Sequence, residues 1–240
     1  MKELLKSCLE NCAQSDLRKK NITGPVITIS RECGCQASYI ATRLTKILTG
    51  YNYLSESDSG NDWKVISKEI LDLAARELEM DNQQVRNVFL NKPYPGIHDI
   101  VATFSSIVLD HSFDQKVIDT VRHIIYWLAS EGNVIILGMA ANFIARDISQ
   151  HLNVKLIAPL DWRIERVMQQ NNFLEEEAEF YVHEVDRQRN YFIEHVAGRK
   201  PTNHDYDMIF NYSTMTEDHI VDAIISVLKN RRMVNGYETD

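Results

Sequence analysis

The sequence predicts an α/β protein: a mostly parallel sheet flanked by helices on both sides. Three observations lead there. Short, β-rich apolar runs recur at Val26–Ile29, Val134–Leu137, Val154–Ala158 and Tyr206–Phe210. Segments with apolar residues at helical spacing separate them. The first runs lack polar alternation, as expected of strands buried on both faces. Strands joined through helices make parallel pairs with right-handed crossovers, and ligands then sit beyond the strands' carboxyl ends.

The elements follow in order. Residues 2–19 place Leu4, Leu5, Cys8, Leu9, Cys12 and Leu17 at helical spacing, and Gly24-Pro25 ends that segment. Val26–Ile29 is the first strand. Ser38–Leu48 follows as a helix with Ile40, Ala41, Leu44, Ile47 and Leu48 on one side, and Thr49–Asp62 reads as a polar, acidic loop. Helices are expected at Ser67–Leu78, Asp81–Leu90, His98–Asp110 and Phe113–Ser130, with a break at Asn91–Gly96 around two prolines. The last carries a stripe of Val117, Ile118, Val121, Ile124, Ile125 and Leu128. From there strands and helices alternate: Val134–Leu137, a short helix Ala141–Asp147, Val154–Ala158, helices Asp161–Asn171 and Glu175–Val196, strand Tyr206–Phe210 and helix Glu217–Arg231.

The length fits a single domain, and the net charge of −8 argues against a nucleic-acid coat. Positive charge gathers only locally, at Arg163, Arg166, Arg187, Arg189, Arg199 and Lys200. Such a group is either a solvated helix face or an anion site, depending on where it lies relative to the sheet. No apolar run approaches the roughly 20 residues that a membrane helix needs. Charges interrupt the N-terminal segment, so no signal peptide and a cytoplasmic address are expected. Cys8, Cys12, Cys33 and Cys35 do not match zinc or redox spacings and read as reduced thiols. The helix after Cys33 and Cys35 is expected to lower their pKa.

The stretch Val26–Ala41 carries the functional signal. A strand ends in a polar loop around Gly34, and a helix follows at once. That arrangement aims backbone N–H groups and a helix dipole at a phosphate. The loop keeps one glycine and no lysine where a P-loop would place one.

Five segments, in order, carry a resemblance: Ile27–Gly34 (I-T-I-S-R-E-C-G), Ala129–Ile144 (A-S-E-G-N-V-I-I-L-G-M-A-A-N-F-I), Ala158–Met168 (A-P-L-D-W-R-I-E-R-V-M), Val185–Phe192 (V-D-R-Q-R-N-Y-F) and Asp205–Ser213 (D-Y-D-M-I-F-N-Y-S). Together they resemble the cytidylate kinase-like family, P-loop relatives of the nucleoside monophosphate kinases. The resemblance implies a three-layer P-loop kinase fold with helical NMP-binding and lid segments. Residues 1–240 would form one such domain, with a core at about 22–50, 130–165 and 204–231, a helical acceptor region at about 63–130 and lid helices at about 172–200. It also implies ATP with Mg²⁺ as cofactor and a small-molecule acceptor such as a nucleoside monophosphate, with no nucleic acid or membrane partner.

By the same resemblance Arg31, Gly34, Cys35, Gln36, Ala37, Ser38 and Arg166 would contact the nucleotide phosphates. Arg163, Arg187 and Arg189 would neutralise the moving phosphoryl group. Ser67, Glu69, Asn142 and Asp186 would serve the acceptor, and Asp161 is a candidate metal contact. Three departures mark this chain. Gln36 and Ala37 stand where the family has glycines, Ser38 replaces a basic residue, and Met139 replaces an arginine that faces the acceptor. Losing a charge-assisted contact typically costs about 1.5–3 kcal/mol. Two readings follow: ATP-dependent phosphoryl transfer impaired by these losses, or a catalytically degenerate nucleotide-binding or interaction protein.

Overall fold

The computed structural model describes residues 25–54, 62–67 and 115–234. The expected helices at 2–19, 67–78, 81–90 and 98–110, together with Cys8, Cys12 and Glu69, lie outside the described residues, apart from Ser67.

Five strands form one parallel sheet: β1 (Val26–Arg31), β2 (Lys64–Ile66), β3 (Val134–Leu137), β4 (His151–Ile157) and β5 (Met208–Asn211), in the order β2-β3-β1-β4-β5. β1 is central. Val26 to Ile29 pair in register with Val134 to Leu137 on one side, and Val26 to Arg31 pair with His151 to Leu156 on the other. Among the described residues the helices are α1 (Ala37–Leu54), α2 (Gln115–Glu131), α3 (Ala141–Ile144), α4 (Leu160–Asn171), α5 (Glu175–Ala197) and α6 (Glu217–Asn230).

The apolar runs are strands because both faces are covered. Ile27, Ile29, Ile135, Leu137, Leu152, Val154 and Leu156 join α1 (Ile40, Ala41, Leu44, Leu48) and α6 (Ile220, Val221, Ile224, Leu228) in one core. Val26, Thr28, Val134, Ile136 and Asn153 point the other way and are buried as well. Each buried aliphatic side chain contributes about 1.5–3 kcal/mol. Thr28 and Asn153, paired across β1 and β4, share a 2.7 Å hydrogen bond that satisfies two polar groups inside the sheet. A second core lies between α4 and α5, built from Ile164, Val167, Ala178, Val182 and Val185.

Several boundaries differ from the sequence reading. α1 runs on to Leu54, through the start of the supposed acidic loop. Trp63 then turns the chain back: its N–H donates to Thr49 Oγ1 at 3.0 Å, and the buried indole joins the main core. β2 follows, a strand the sequence did not announce, because three residues, two half-buried and one buried, carry no readable period. β4 starts at His151, three residues early, with polar Asn153 and Lys155 hiding it. β5 is Met208–Asn211, displaced by a 3₁₀ turn at Asn203–Asp205.

By compactness the chain divides into two units, residues 1–18 with 68–127 and residues 19–67 with 128–240. In the first, only Gln115–Trp127 is described. There Ile118, Val121, Ile124 and Ile125 are buried along one stripe, as the spacing predicts. The second unit holds the sheet and everything that follows. Among the described residues no helix is long and apolar enough to cross a membrane.

Candidate active site

The loop Glu32–Gln36 leaves the carboxyl end of β1 and enters α1. Gly34 has φ +91°, and a Cβ there would stand 3.1 Å from both Cβ and the carbonyl oxygen of Arg163. Its glycine is therefore required by the close approach of α4, not only by a ligand. The two flanking cysteines pack in opposite directions, Cys33 into the α4–α5 core and Cys35 into the main core. Burial pushes the Cys33 thiol up to about 11 and the Cys35 thiol up to about 12. This corrects the expectation of lowered thiol pKa values. Desolvation of the thiolate outweighs both the helix dipole and the nearby arginines.

On the β4 side of the loop Glu32, Arg163 and Asp186 are bonded to one another's elements. Glu32 N–H donates to Leu156 O (3.0 Å), and Glu32 Oε2 accepts from Ala158 N–H (3.0 Å). Arg163, only 9% exposed, donates from Nε to Ala158 O at 3.0 Å and from Nη1 to Asp186 Oδ2 at 2.5 Å. Asp186 Oδ1 accepts the Cys33 N–H at 2.7 Å. The ring from β1 through β4, α4 and α5 back to β1 is closed. The backbone amides of Cys33, Cys35, Ala37 and Tyr39 all donate within the protein: Cys33 to Asp186, Cys35 to Glu32 O, Ala37 to Cys35 O and Tyr39 to Gln36 O. Of the loop side chains, Ala37 is buried, Gln36 is half-buried, and Ser38 is exposed at the start of α1.

The β3 side is different. The Arg31 guanidinium lies against Gly138, where a Cβ would land on it. Burial, and then the neighbouring Arg189, hold Arg31 down to about 9. Arg189 Nη1 approaches Arg31 O at 3.5 Å and Asp186 Oδ1 at 3.8 Å. The turn after β3 is strained: Gly138, Met139 and Ala140 take φ of 72°, 58° and 53° in succession. Asn142, 3% exposed, leaves both amide atoms without a hydrogen-bond partner.

The arginines expected to act together are thus separated. Arg189 reaches the loop. Arg187 does not: positions two apart on a helix diverge by about 200°, and Arg187 pairs instead with Glu184 (2.6 and 2.9 Å) on an exposed face. Arg163 is near the loop but bonded into its frame. Arg166 lies farther along α4, its guanidinium 5.3 Å from the Trp162 ring, with Nε buried and unpartnered. Trp162 meets Tyr212 edge-on at 5.7 Å, and Tyr212 donates to Glu217 at 2.9 Å. Ser67 follows β2, and Asp161 is exposed in the first turn of α4. Among the described residues no group of three His, Cys, Asp or Glu is placed to hold a metal. Glu32 and Gly138 escaped the sequence reading as site residues. Both lie in the matching segments, beside Arg31 and Met139, and a look at immediate neighbours would have raised them.

The fold finds counterparts among known proteins. No curated protein matches the chain. An uncharacterized protein from Eubacterium ventriosum ATCC 27560 matches in structure with a TM-score of 0.59 at 19% identity, covering 86% of this chain and 99% of that one, a likeness of fold alone. TT1252 from Thermus thermophilus (TM-score 0.48, 17% identity, 86% and 99% covered) and shikimate kinase from Bacteroides thetaiotaomicron (0.46, 11%, 85% and 98%) are more distant. The model of the cytidylate kinase-like family matches residues 61–214, from β2 to just beyond β5. With the sheet order and the two sides of the loop in place, that match identifies the chain as a member of the cytidylate kinase-like family.

Proposed function

We propose that this chain binds ATP with Mg²⁺ and transfers the γ-phosphoryl group to a small acceptor such as a nucleoside monophosphate. The supporting observation is the meeting of Arg31 and Arg189 beside the loop at the carboxyl ends of β1 and β3. A parallel sheet presents its ligand site there. Transfer would bond an acceptor oxygen to the γ-phosphorus as the β–γ bridging bond breaks, releasing ADP and the acceptor's proton. The protein's part is positioning and charge neutralisation. Arg189, half-exposed above the loop, is the arginine placed for that work. Arg163 and Asp186 are positioning residues that fix the loop. Arg166 and the Trp162–Tyr212 pair flank the β4–β5 side, where a donor base has an aromatic and a cation to meet. Mg²⁺ would come with the nucleotide and would supply screening of the phosphate charge, with exposed Asp161 the candidate contact on this chain.

One observation favours the alternative, a nucleotide-binding or interaction protein without turnover. Four loop-region amides are already bonded within the protein, and no lysine or arginine stands at Gln36–Ser38. A two-part experiment separates the readings. Mg·ATP at ~100 times its dissociation constant stabilises by ~2.7 kcal/mol, so thermal unfolding reports binding, and ³¹P NMR with monophosphate acceptors reports transfer. A shift with transfer is expected. A shift without transfer to any acceptor leaves the binding protein, and no shift with any nucleotide overturns both nucleotide-binding readings and leaves only an interaction protein.

A further inference from the structure

Helix α5 carries two stripes. Ala178, Val182, Val185, Phe192 and Val196 are buried and fix its inner face. Two positions further along, about 200° around the helix, lies a second stripe of Phe180, Glu184, Arg187 and Tyr191. Its spacing of four, three and four residues is the seam spacing by which one helix packs along another. Phe180 is 43% exposed and Tyr191 47%, two of the four large hydrophobic residues that stand out among the described residues. Between them Glu184 is half-buried and Arg187 exposed, joined to each other at 2.6 and 2.9 Å. Aromatic residues scattered singly over a surface need no explanation, but two aligned on one seam with charges between them do.

The order along this outer stripe is self-complementary. Phe180 and Tyr191 lie equally far from the midpoint between Val185 and Asp186, and so do Glu184 and Arg187. When a copy of the helix is turned end for end about that midpoint, each aromatic ring meets an aromatic ring and each charge meets its opposite. A two-fold axis demands this reciprocity of any isologous contact. The layers of such an antiparallel pair set Phe180 on the partner's Tyr191 and Glu184 on the partner's Arg187, then the same two in reverse. A parallel pair in register would instead set like charge on like. The next antiparallel layer outward opposes Glu177 to the partner's Glu194, which confines the attraction to the four central layers.

We propose that the outer stripe of α5 is a homodimer interface, on which a second copy of this chain lays its own α5 antiparallel about a two-fold axis at Val185–Asp186. The aromatic side chains form two clusters, one on each side of the axis, and supply the apolar burial. At the centre the two Glu184–Arg187 pairs join into a ring of four alternating charges. Each of those charges already has a partner in its own chain, so closing the dimer strands no ion. The ring sets register and direction more than strength. One helix on one helix is a small interface, so the dimer should dissociate on dilution.

Sedimentation velocity of the full chain over a concentration series tests this, without nucleotide, so the outcome is independent of the phosphoryl-transfer reading. A monomer–dimer equilibrium is expected. Phe180→Asp and Tyr191→Asp should each weaken dimerisation about tenfold or more. Glu184→Arg makes the centre of the stripe wholly positive, and Arg187→Glu makes it wholly negative, so each variant alone should lose the dimer. Mixed in equal amounts, those two variants should form a heterodimer, because every charge again faces its opposite. A folding defect in either variant would not be rescued by mixing. A monomer at every concentration overturns the proposal and leaves the stripe to a different protein. A dimer that Phe180→Asp and Tyr191→Asp leave unchanged overturns it as well. So do charge variants that dimerise as tightly as the native chain, or a loss that mixing does not restore.

Discussion

The two sides of the central loop use the same residue type for opposite ends. Facing β4, Arg163 finds Ala158 O, Asp186 and Glu32 within reach, and becomes part of the frame. Facing β3, Arg31 finds a glycine, a second arginine and only a share of Asp186's field. An arginine's role is thus set by the acceptors around it, not by its position in a motif. A buried guanidinium whose donors are satisfied is far less costly than one left without acceptors.

The hardest test of that contrast is to remove a partner on each side. Arg163→Met strands the Asp186 carboxylate and the Cys33–Ala158 frame, and is expected to cost about 3 kcal/mol. Arg31→Met should cost nothing or stabilise. Urea unfolding of the two variants measures the difference, and equal losses would erase the distinction between the sides. The glycines give the next largest effect. Gly34→Ala places a methyl at φ +91° against the backbone of Arg163, and should cost about 2 kcal/mol. Gly138→Ala meets the movable end of Arg31 instead, so its cost should be nearer 1 kcal/mol. It should also displace the Arg31 guanidinium.

A smaller change of opposite sign is expected at Ala140. Its φ of 53° suits glycine, so Ala140→Gly should raise stability by up to about 1 kcal/mol. A loss there would mean that the turn is not strained. The last prediction concerns a fully partnered surface arginine. Hydrogen bonding from Arg199 holds the Asp205 carboxyl at about 2, below its ordinary 3.8. A lowered pKa in the fold means that this contribution is complete above about pH 4 and is lost as pH falls toward 2. Asp205→Asn should remove that slope from the stability–pH curve and leave the curve above pH 5 parallel to the native one.

Much of the fold was legible in advance. Val26–Ile29 and Val134–Leu137 are apolar throughout because they are buried on both faces. The stripes on α1 and α2 recur at helical spacing because each helix buries one side. β2 was not legible, since its pairing with β3, not its own composition, makes Lys64–Ile66 a strand. The candidate site was legible as a place and not as a set of roles. The matching segments pointed to the loop, to Arg163 and to Val185–Phe192. They could not tell Arg187 from Arg189, which helix geometry turns to different faces. Nor could they tell that Cys33 and Cys35 would be buried and therefore less acidic, not more.

By itself the sequence determined the alternation of strands and helices, the glycine loop after the first strand and the family to which these motifs point. Those properties are local, written in periodicity and short-range chemistry. Only the tertiary structure decided which arginines are neutralised and which are not. That depends on groups brought together from separate elements, Asp186 23 positions from Arg163 and the Cys33 carbonyl 130 positions from it, and the energy of a buried charge is fixed by whatever acceptors the fold happens to place around it.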